Sequence, residues 1–352
     1  MSVPARFAAR AGRRLAALTA VLALGAGLSA CSSADSANND DPRNVTLTFG
    51  FQTADYPALL EASGLFEDLP YTLETPVIAG PAAQISALYS KATDFGLVGE
   101  NTAAFEAANA ENDLGNADPK IYTIAGLAYE GTPYPAPALF VKKSAGISKI
   151  EELRGHTVAY NFGGNIYAGY VKILADAGLT VDDIEPVQLP DNQAAAAAFA
   201  AGQVDAVVTS YSHVAKAIES GDAVQLTTNE EFGVKGGAGF ITRPDVLADA
   251  GKLAAAEDFF ARFSKLWSEW YPAHEAEVTS ILQDVLKQAP DIAKINFENG
   301  KHGRLYRVGD PEFIASQQNI VKAAYAAGGV KHDYDIAKVF NPVFDHITVS
   351  DQ

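Results

Sequence analysis

Short β-rich runs alternate with helical stretches from residue 45 to residue 242, and this alternation restricts the chain to an α/β architecture. Residues 45–49, 71–75, 95–98, 121–127, 138–141, 157–161, 184–189, 204–209, 224–227 and 238–242 read as strands. Helices read over 57–63, 81–91, 102–110, 149–153, 166–177, 193–201 and 213–220. Gly64 and Gly178 stop two of them, and Pro81 occupies a first-turn position after Gly80. From Pro244 to Asp345 the pattern is mostly helical. Strands interleaved with helices imply βαβ units, a parallel sheet and right-handed crossovers. No repeat of 20–50 residues occurs, which argues against a solenoid.

The first thirty residues read as an address. Arg6, Arg10, Arg13 and Arg14 precede an apolar run from Leu15 to Leu28, followed by Leu28-Ser29-Ala30-Cys31. The run is too short to span a bilayer, which takes about 20 helical residues. The last four residues resemble the bacterial lipobox, which implies lipidation of Cys31 after removal of residues 1–30. A plain secretory signal or a membrane anchor remains open, and Arg13-Arg14 leaves twin-arginine export open. Residues 31–44 are rich in Ser, Asn and Asp and read as a flexible tether.

Cys31 is the only cysteine, so a disulfide framework, a CxxC pair and a structural zinc cluster are excluded. The chain carries 26 Lys+Arg against 43 Asp+Glu, a net charge of −17. Removing residues 1–30 takes away four arginines and no acids, leaving 22 basic residues against 43 acidic ones, or −21. Such a surface does not neutralise phosphates, so no nucleic-acid partner is expected.

Several segments in order carry a resemblance. Ala62-Ser-Gly-Leu-Phe-Glu67, Gly80-Pro81 with Ala87-Leu88, and Thr93-Asp-Phe-Gly-Leu-Val-Gly99 come first. Phe140-Val-Lys-Lys-Ser144 with Leu153-Arg-Gly155, Thr157-Val-Ala-Tyr160, Ala177-Gly-Leu179 and Ala201-Gly-Gln-Val-Asp-Ala206 follow. Together they resemble the alkanesulfonate/nitrate/taurine class of ABC-importer substrate-binding proteins over roughly residues 45–245. No single segment is specific; their order and spacing carry the resemblance.

The resemblance implies a type II periplasmic-binding-protein fold, α/β, with two lobes, hinge crossovers and a helical C-terminal region. Lobe one is expected at 45–133 plus 238–350 and lobe two at 138–236. Thr132 to Pro137 and Lys235 to Gly239 would be the crossovers, or ordinary surface loops. It also implies an extracytoplasmic, lipid-anchored monomer at the cell membrane that passes a small molecule to an ABC permease, with no cofactor.

In such an architecture ligands bind at strand ends and helix N-termini. Candidate binding residues are Gln52, Thr53, Tyr56, Gly80, Pro81, Glu100, Asn101, Tyr129, Glu130, Gly163, Gly164, Asn165, Tyr211 and His213. Gly163-Gly164-Asn165 before a helix offers free N–H groups to an oxyanion, or simply caps the helix. The loops hold Asp55, Glu100 and Glu130 but no Lys or Arg, with Lys235 the nearest base. They are also rich in Tyr and Phe. That combination favours an organic ligand over a small inorganic anion. Two ligand readings stand: an alkanesulfonate or taurine-like compound, or an aromatic heterocycle such as a thiamine pyrimidine precursor. A surface sensor without transport is a further alternative.

Catalysis is not expected. Enzymes known on this fold rely on cysteine, and Cys31 belongs to the lipobox. No Gly-x-Ser-x-Gly elbow and no His-Glu-x-x-His spacing occurs, and the six histidines are scattered, so no metal site is expected.

Overall fold

A computed structural model describes residues 45–111 and 118–347. The signal peptide, Cys31 and the tether lie outside the described residues. The strands are β1 (Thr46–Gly50), β2 (Thr72–Glu74), β3 (Phe95–Gly99), β4 (Tyr122–Tyr129), β5 (Ala138–Lys142) and β6 (Thr157–Asn161). They continue with β7 (Glu185–Leu189), β8 (Ala206–Thr209), β9 (Ala223–Thr228), β10 (Ala238–Thr242) and β11 (Gly303–Tyr306). The longer helices are α1 (Asp55–Ala62), α2 (Pro81–Tyr89), α3 (Thr102–Asn109), α4 (Asn165–Asp176) and α5 (Asn192–Ala200). α6 (Tyr211–Glu219), α7 (Ala250–Lys265), α8 (Glu275–Leu286), α9 (Pro290–Gly300) and α10 (Pro311–Ala326) complete them.

The strands form two sheets, ordered β11-β4-β10-β3-β1-β2 and β7-β6-β8-β5-β9. The expected parallel pairing holds for β1 with β2 and β3, and for β6 with β7 and β8. It fails at β10 and β5. β10 runs antiparallel between β3 and β4, and β5 antiparallel between β8 and β9. Each of these two strands enters its sheet directly from a segment leaving the other sheet. It arrives from the strand-end side, without a crossover helix to reverse it. β11 lies inside the region read as helical; only four residues long, it completes the edge of the first sheet against β4.

Local signals explain the helix starts. Pro81 opens α2 directly after Gly80. Asp191 caps α5 by accepting from the Ala194 N–H at 2.8 Å. Asp310 caps α10 by accepting from Glu312 and Phe313 N–H at 2.7 and 3.1 Å.

One face of the first sheet buries a phenylalanine core. Phe49 stacks on Phe95 and Phe259 at 4.4 and 3.9 Å between centroids, and Phe240 meets Phe260 edge-on at 4.9 Å. The second sheet buries Phe140, Ala159 and Val207 under Phe199 of α5. A third core is shared: Phe105 of α3, Tyr167 and Val171 of α4, and Ile320 and Val321 of α10 belong to one buried cluster. Among the described residues no helix is long and apolar enough to cross a membrane.

Candidate functional site

Loops at the ends of both sheets, with α8 and α9, enclose a cavity of about 1360 Å³. Pockets that hold drug-sized ligands measure roughly 300–1,000 Å³, so the space admits a small organic molecule with solvent to spare. From the first sheet come Gln52 and Thr53 after β1, Gly80, and Tyr129 to Thr132 after β4. From the second come Asn161 at the end of β6, Asn192 and Gln193 at the start of α5, and Ser212 and His213 in α6.

One wall is aromatic. A π-helical turn at Leu266–Trp270 follows α7 and carries Trp267. Its ring lies 6.1 Å from Tyr56, 5.7 Å from Tyr129 and 4.7 Å from Tyr271, centroid to centroid. The Tyr56 and Tyr129 hydroxyls meet at 3.3 Å, and Phe51 stacks behind Tyr56 at 5.2 Å. All four rings line the cavity and touch in sequence, so they form one continuous surface. Trp267 Nε1 has no hydrogen-bond partner.

Asp55, the first residue of α1, lines the cavity beside these rings. Its Oδ1 has no hydrogen-bond partner. Burial pushes its carboxyl above the usual 3.8, against the opposing pull of Thr53 and of the Asp55 and Tyr56 backbone. The neighbouring tyrosines stay neutral: burial drives Tyr56, Tyr129 and Tyr271 all upward from 10.

The remaining charges are mixed. Lys216, Lys235 and Lys287 line the cavity together with Glu130, Asp191 and Glu230. Sequence reasoning found only Lys235 near the site; Lys216 and Lys287 sit on or just past helices, where no loop pattern flags them. Lys235 faces Glu130 at 3.7 Å with both side chains exposed, and Lys287 Nζ donates to the Asp284 carbonyl at 2.7 Å. His213 opens to the cleft but is ringed by protein, and desolvation lowers its pKa below 6.5, against the pull of Asp191. Asn299 pins the first connecting segment: its amide accepts from Tyr134 N–H at 3.3 Å and donates to the Tyr134 carbonyl at 3.0 Å.

Of the residues named from sequence, Gln52, Thr53, Tyr56, Gly80, Tyr129, Glu130, Asn165 and His213 line the cavity. Pro81, Glu100, Asn101, Gly163, Gly164 and Tyr211 do not. Glu100 is fully buried beneath the second connection: its Oε2 accepts from the Tyr306 hydroxyl at 3.1 Å, and its N–H donates to the Gly237 carbonyl at 3.2 Å. Asn101, also buried, donates to Gln317. Tyr211 stacks on Tyr134 at 4.5 Å.

The start of α4, expected to present free amides to an oxyanion, is covered. Gly163 and Gly164 are buried against Pro81, and a Cβ on Gly99 would overlap the Asn165 amide nitrogen and lie 2.7 Å from Gly164 Cα. The two connections also run side by side: Gly236, at φ +76°, leaves no room for a Cβ against the Ala136 carbonyl. Sequence reasoning missed Trp267 and Tyr271 as wall residues, because aromatics four apart on a helix read as core. Among the described residues no cluster of three or more His, Cys, Asp or Glu could hold a metal ion.

The family model described as NMT1/THI5 like matches residues 78–260. The chain belongs to the NMT1/THI5-like family. No curated protein matches it. Among solved structures, it is similar to the alkanesulfonate-binding protein SsuA from Xanthomonas axonopodis pv. citri, bound to MOPS. Identity there is 19% and the TM-score 0.69, over 84% of this chain and 98% of that one. It is also similar to the periplasmic aliphatic sulphonate binding protein SsuA from Escherichia coli, at 20% identity and TM-score 0.67, over 84% and 92%. The desulfurization enzyme DSZB matches at 14% identity and TM-score 0.51, over 86% and 97%. At these identities the likeness establishes the fold, that of the periplasmic binding proteins. The family match covers both connections and strands β3 to β10, while Asp55, Tyr56, Trp267 and Tyr271 fall outside it.

Proposed function

We propose that this protein is the extracytoplasmic substrate-binding component of an ABC importer, which captures a small organic ligand in the cavity and delivers it to a permease. The observation that carries the reading is the cavity itself, built at the strand ends of two sheets and walled by aromatics and amides, in a fold shared with sulfonate-binding proteins. Residues 45–133 plus 238–350 form one lobe and 138–236 the other, and ligand shifts the equilibrium between open and closed arrangements about the paired connections. Residues 1–30 are removed, and a lipid on Cys31 holds the monomer at the outer face of the cell membrane through the 31–44 tether.

The ligand is alkanesulfonate-like or taurine-like by analogy with the SsuA proteins. A second reading, an aromatic heterocycle such as a pyrimidine precursor, is favoured by the wall chemistry. Tyr56, Tyr129 and Trp267 offer stacking faces, and Asn161, Asn192, Gln193 and Asn296 offer paired donors and acceptors. The chain is a binder, not an enzyme: its lone thiol is committed to the anchor, far in sequence from every cavity residue.

Isothermal titration of the mature protein with butane-1-sulfonate, taurine and substituted aminopyrimidines tests the binding function. Micromolar binding of one class selects its reading; binding of none removes both ligand readings. Intact mass of membrane-extracted protein should show a diacylglycerol adduct on Cys31, and unmodified protein retaining residues 1–30 would remove the anchor.

A further inference from the structure

Asp55 is a carboxylate without an ionic partner in a wall of aromatic rings. The first-turn amides of α1 and the Thr53 side chain favour its charged form, yet Oδ1 is left with no hydrogen bond. The neighbouring side chains that bear on its charge are the neutral hydroxyls of Tyr56, Tyr129 and Tyr271. The three cavity lysines do not answer it: Lys235 faces Glu130, Lys287 donates to a carbonyl, and Lys216 stands on α6 of the second sheet. A desolvated carboxylate without a counter-charge is costly. The rings beside it are what a cation prefers, since a positive nitrogen gains by lying within about 6 Å of a Trp or Tyr face.

We infer that the ligand carries a cationic nitrogen, and that this head seats against Asp55 within the cup of Tyr56, Tyr129, Trp267 and Tyr271. The inference rests on the cavity being the ligand site and narrows it, setting aside plain alkanesulfonates and uncharged heterocycles. It uses both elements of the wall at once: the rings take the alkyl or ring carbon next to nitrogen, and Asp55 takes the charge. A carboxylate in this position repels a sulfonate brought to the same wall, so any acidic group of the ligand points toward Lys216 or Lys235. Of the cup, Tyr129 lies within the region of the family match, while Asp55, Tyr56, Trp267 and Tyr271 lie outside it.

The test uses choline, its uncharged carbon isostere 3,3-dimethylbutan-1-ol, and butane-1-sulfonate as probes. Each is titrated calorimetrically at pH 7 against the wild-type mature protein and against Asp55→Asn, whose folding is checked by its thermal transition. The expected result is that wild type binds choline at least tenfold more tightly than the alcohol, and that Asp55→Asn shrinks the difference to the smaller part the rings supply. The wild-type comparison decides the matter even if the variant fails to fold. Equal binding of choline and alcohol, or no binding of choline, overturns the inference. If butane-1-sulfonate binds where choline does not, the cavity remains the ligand site and the cationic head alone is wrong. If no probe binds, the inference falls, and the taurine and aminopyrimidine titrations decide the cavity reading separately.

Discussion

Glu100→Gln isolates the energetic cost of a buried carboxylate beneath the connection between the sheets. Glu100 has no exposed surface, and one of its two oxygens, Oε1, has no partner. The other accepts from the Tyr306 hydroxyl at 3.1 Å, a bond that a glutamine carbonyl can also accept. Desolvation is the largest influence on its pKa and raises it above 4.5, while Tyr306, Gln317, Lys235 and the Gly237 backbone pull the other way. The native state therefore keeps a proton above pH 4.5 that the unfolded chain has released, and stability is lost as pH rises through that window. Leaving a buried polar group unsatisfied costs about 1–3 kcal/mol. The variant should therefore be more stable than wild type by about 1–3 kcal/mol at pH 8 and near parity at pH 4.5. Urea unfolding followed by tryptophan fluorescence at the two pH values measures this directly. A variant less stable than wild type at pH 8, or a difference that does not change with pH, would refute the reasoning.

Tyr306→Phe removes the hydroxyl that donates to Glu100; it should cost about 1 kcal/mol, and more at pH 8 than at pH 4.5, in the same unfolding assay. Arg243 is buried, and its Nη1 donates to the Leu88 and Thr93 carbonyls at 2.8 and 2.6 Å while Nε donates to Asp245 at 2.9 Å. Arg243→Met strands all three acceptors and should destabilise by about 3–5 kcal/mol, the usual loss for breaking a buried ionic group; a loss below 1 would deny the arginine a structural role. Gly99→Ala places a methyl against the first turn of α4 and should cost about 1–3 kcal/mol as overpacking, read as a lower calorimetric transition temperature. An unchanged transition would mean that the two backbones do not approach so closely.

Strands β1 to β10 were legible because each is a short β-rich run between turn residues, and predicted and observed boundaries differ by no more than two residues; β11 was hidden inside a helical pattern. Strand direction was not. Nothing in Ala138–Lys142 or Ala238–Thr242 records that the chain enters from the other sheet, and that entry makes both strands antiparallel. Half of the cavity wall was legible, because loops after β1, β4 and β8 follow from the alternation. The covered start of α4 was not, since glycines before a helix look alike whether they face a ligand or a neighbouring proline. Glu100 misled for a related reason: a carboxylate at a strand end reads as a ligand contact until its burial is known. Trp267 and Tyr271 were hidden by the ordinary helical spacing that hides most aromatics.

The shared core limits how the two sheets can move. Phe105 meets Tyr167 edge-on at 5.2 Å, the Tyr167 hydroxyl donates to the Gly329 carbonyl, and the Val181 N–H donates to the Ala327 carbonyl at 2.9 Å. α10 packs on both α3 and α4. Burying one large apolar side chain contributes about 1.5–3 kcal/mol, so parting Phe105, Tyr167, Val171, Ile320 and Val321 would cost on the order of 10 kcal/mol. A micromolar ligand returns about 8 kcal/mol on binding. A motion that opened this core would thus leave the closed form dominant with or without ligand, and binding could not switch it. Ligand-driven closure is affordable only if α3, α4 and α10 stay packed as the fixed side.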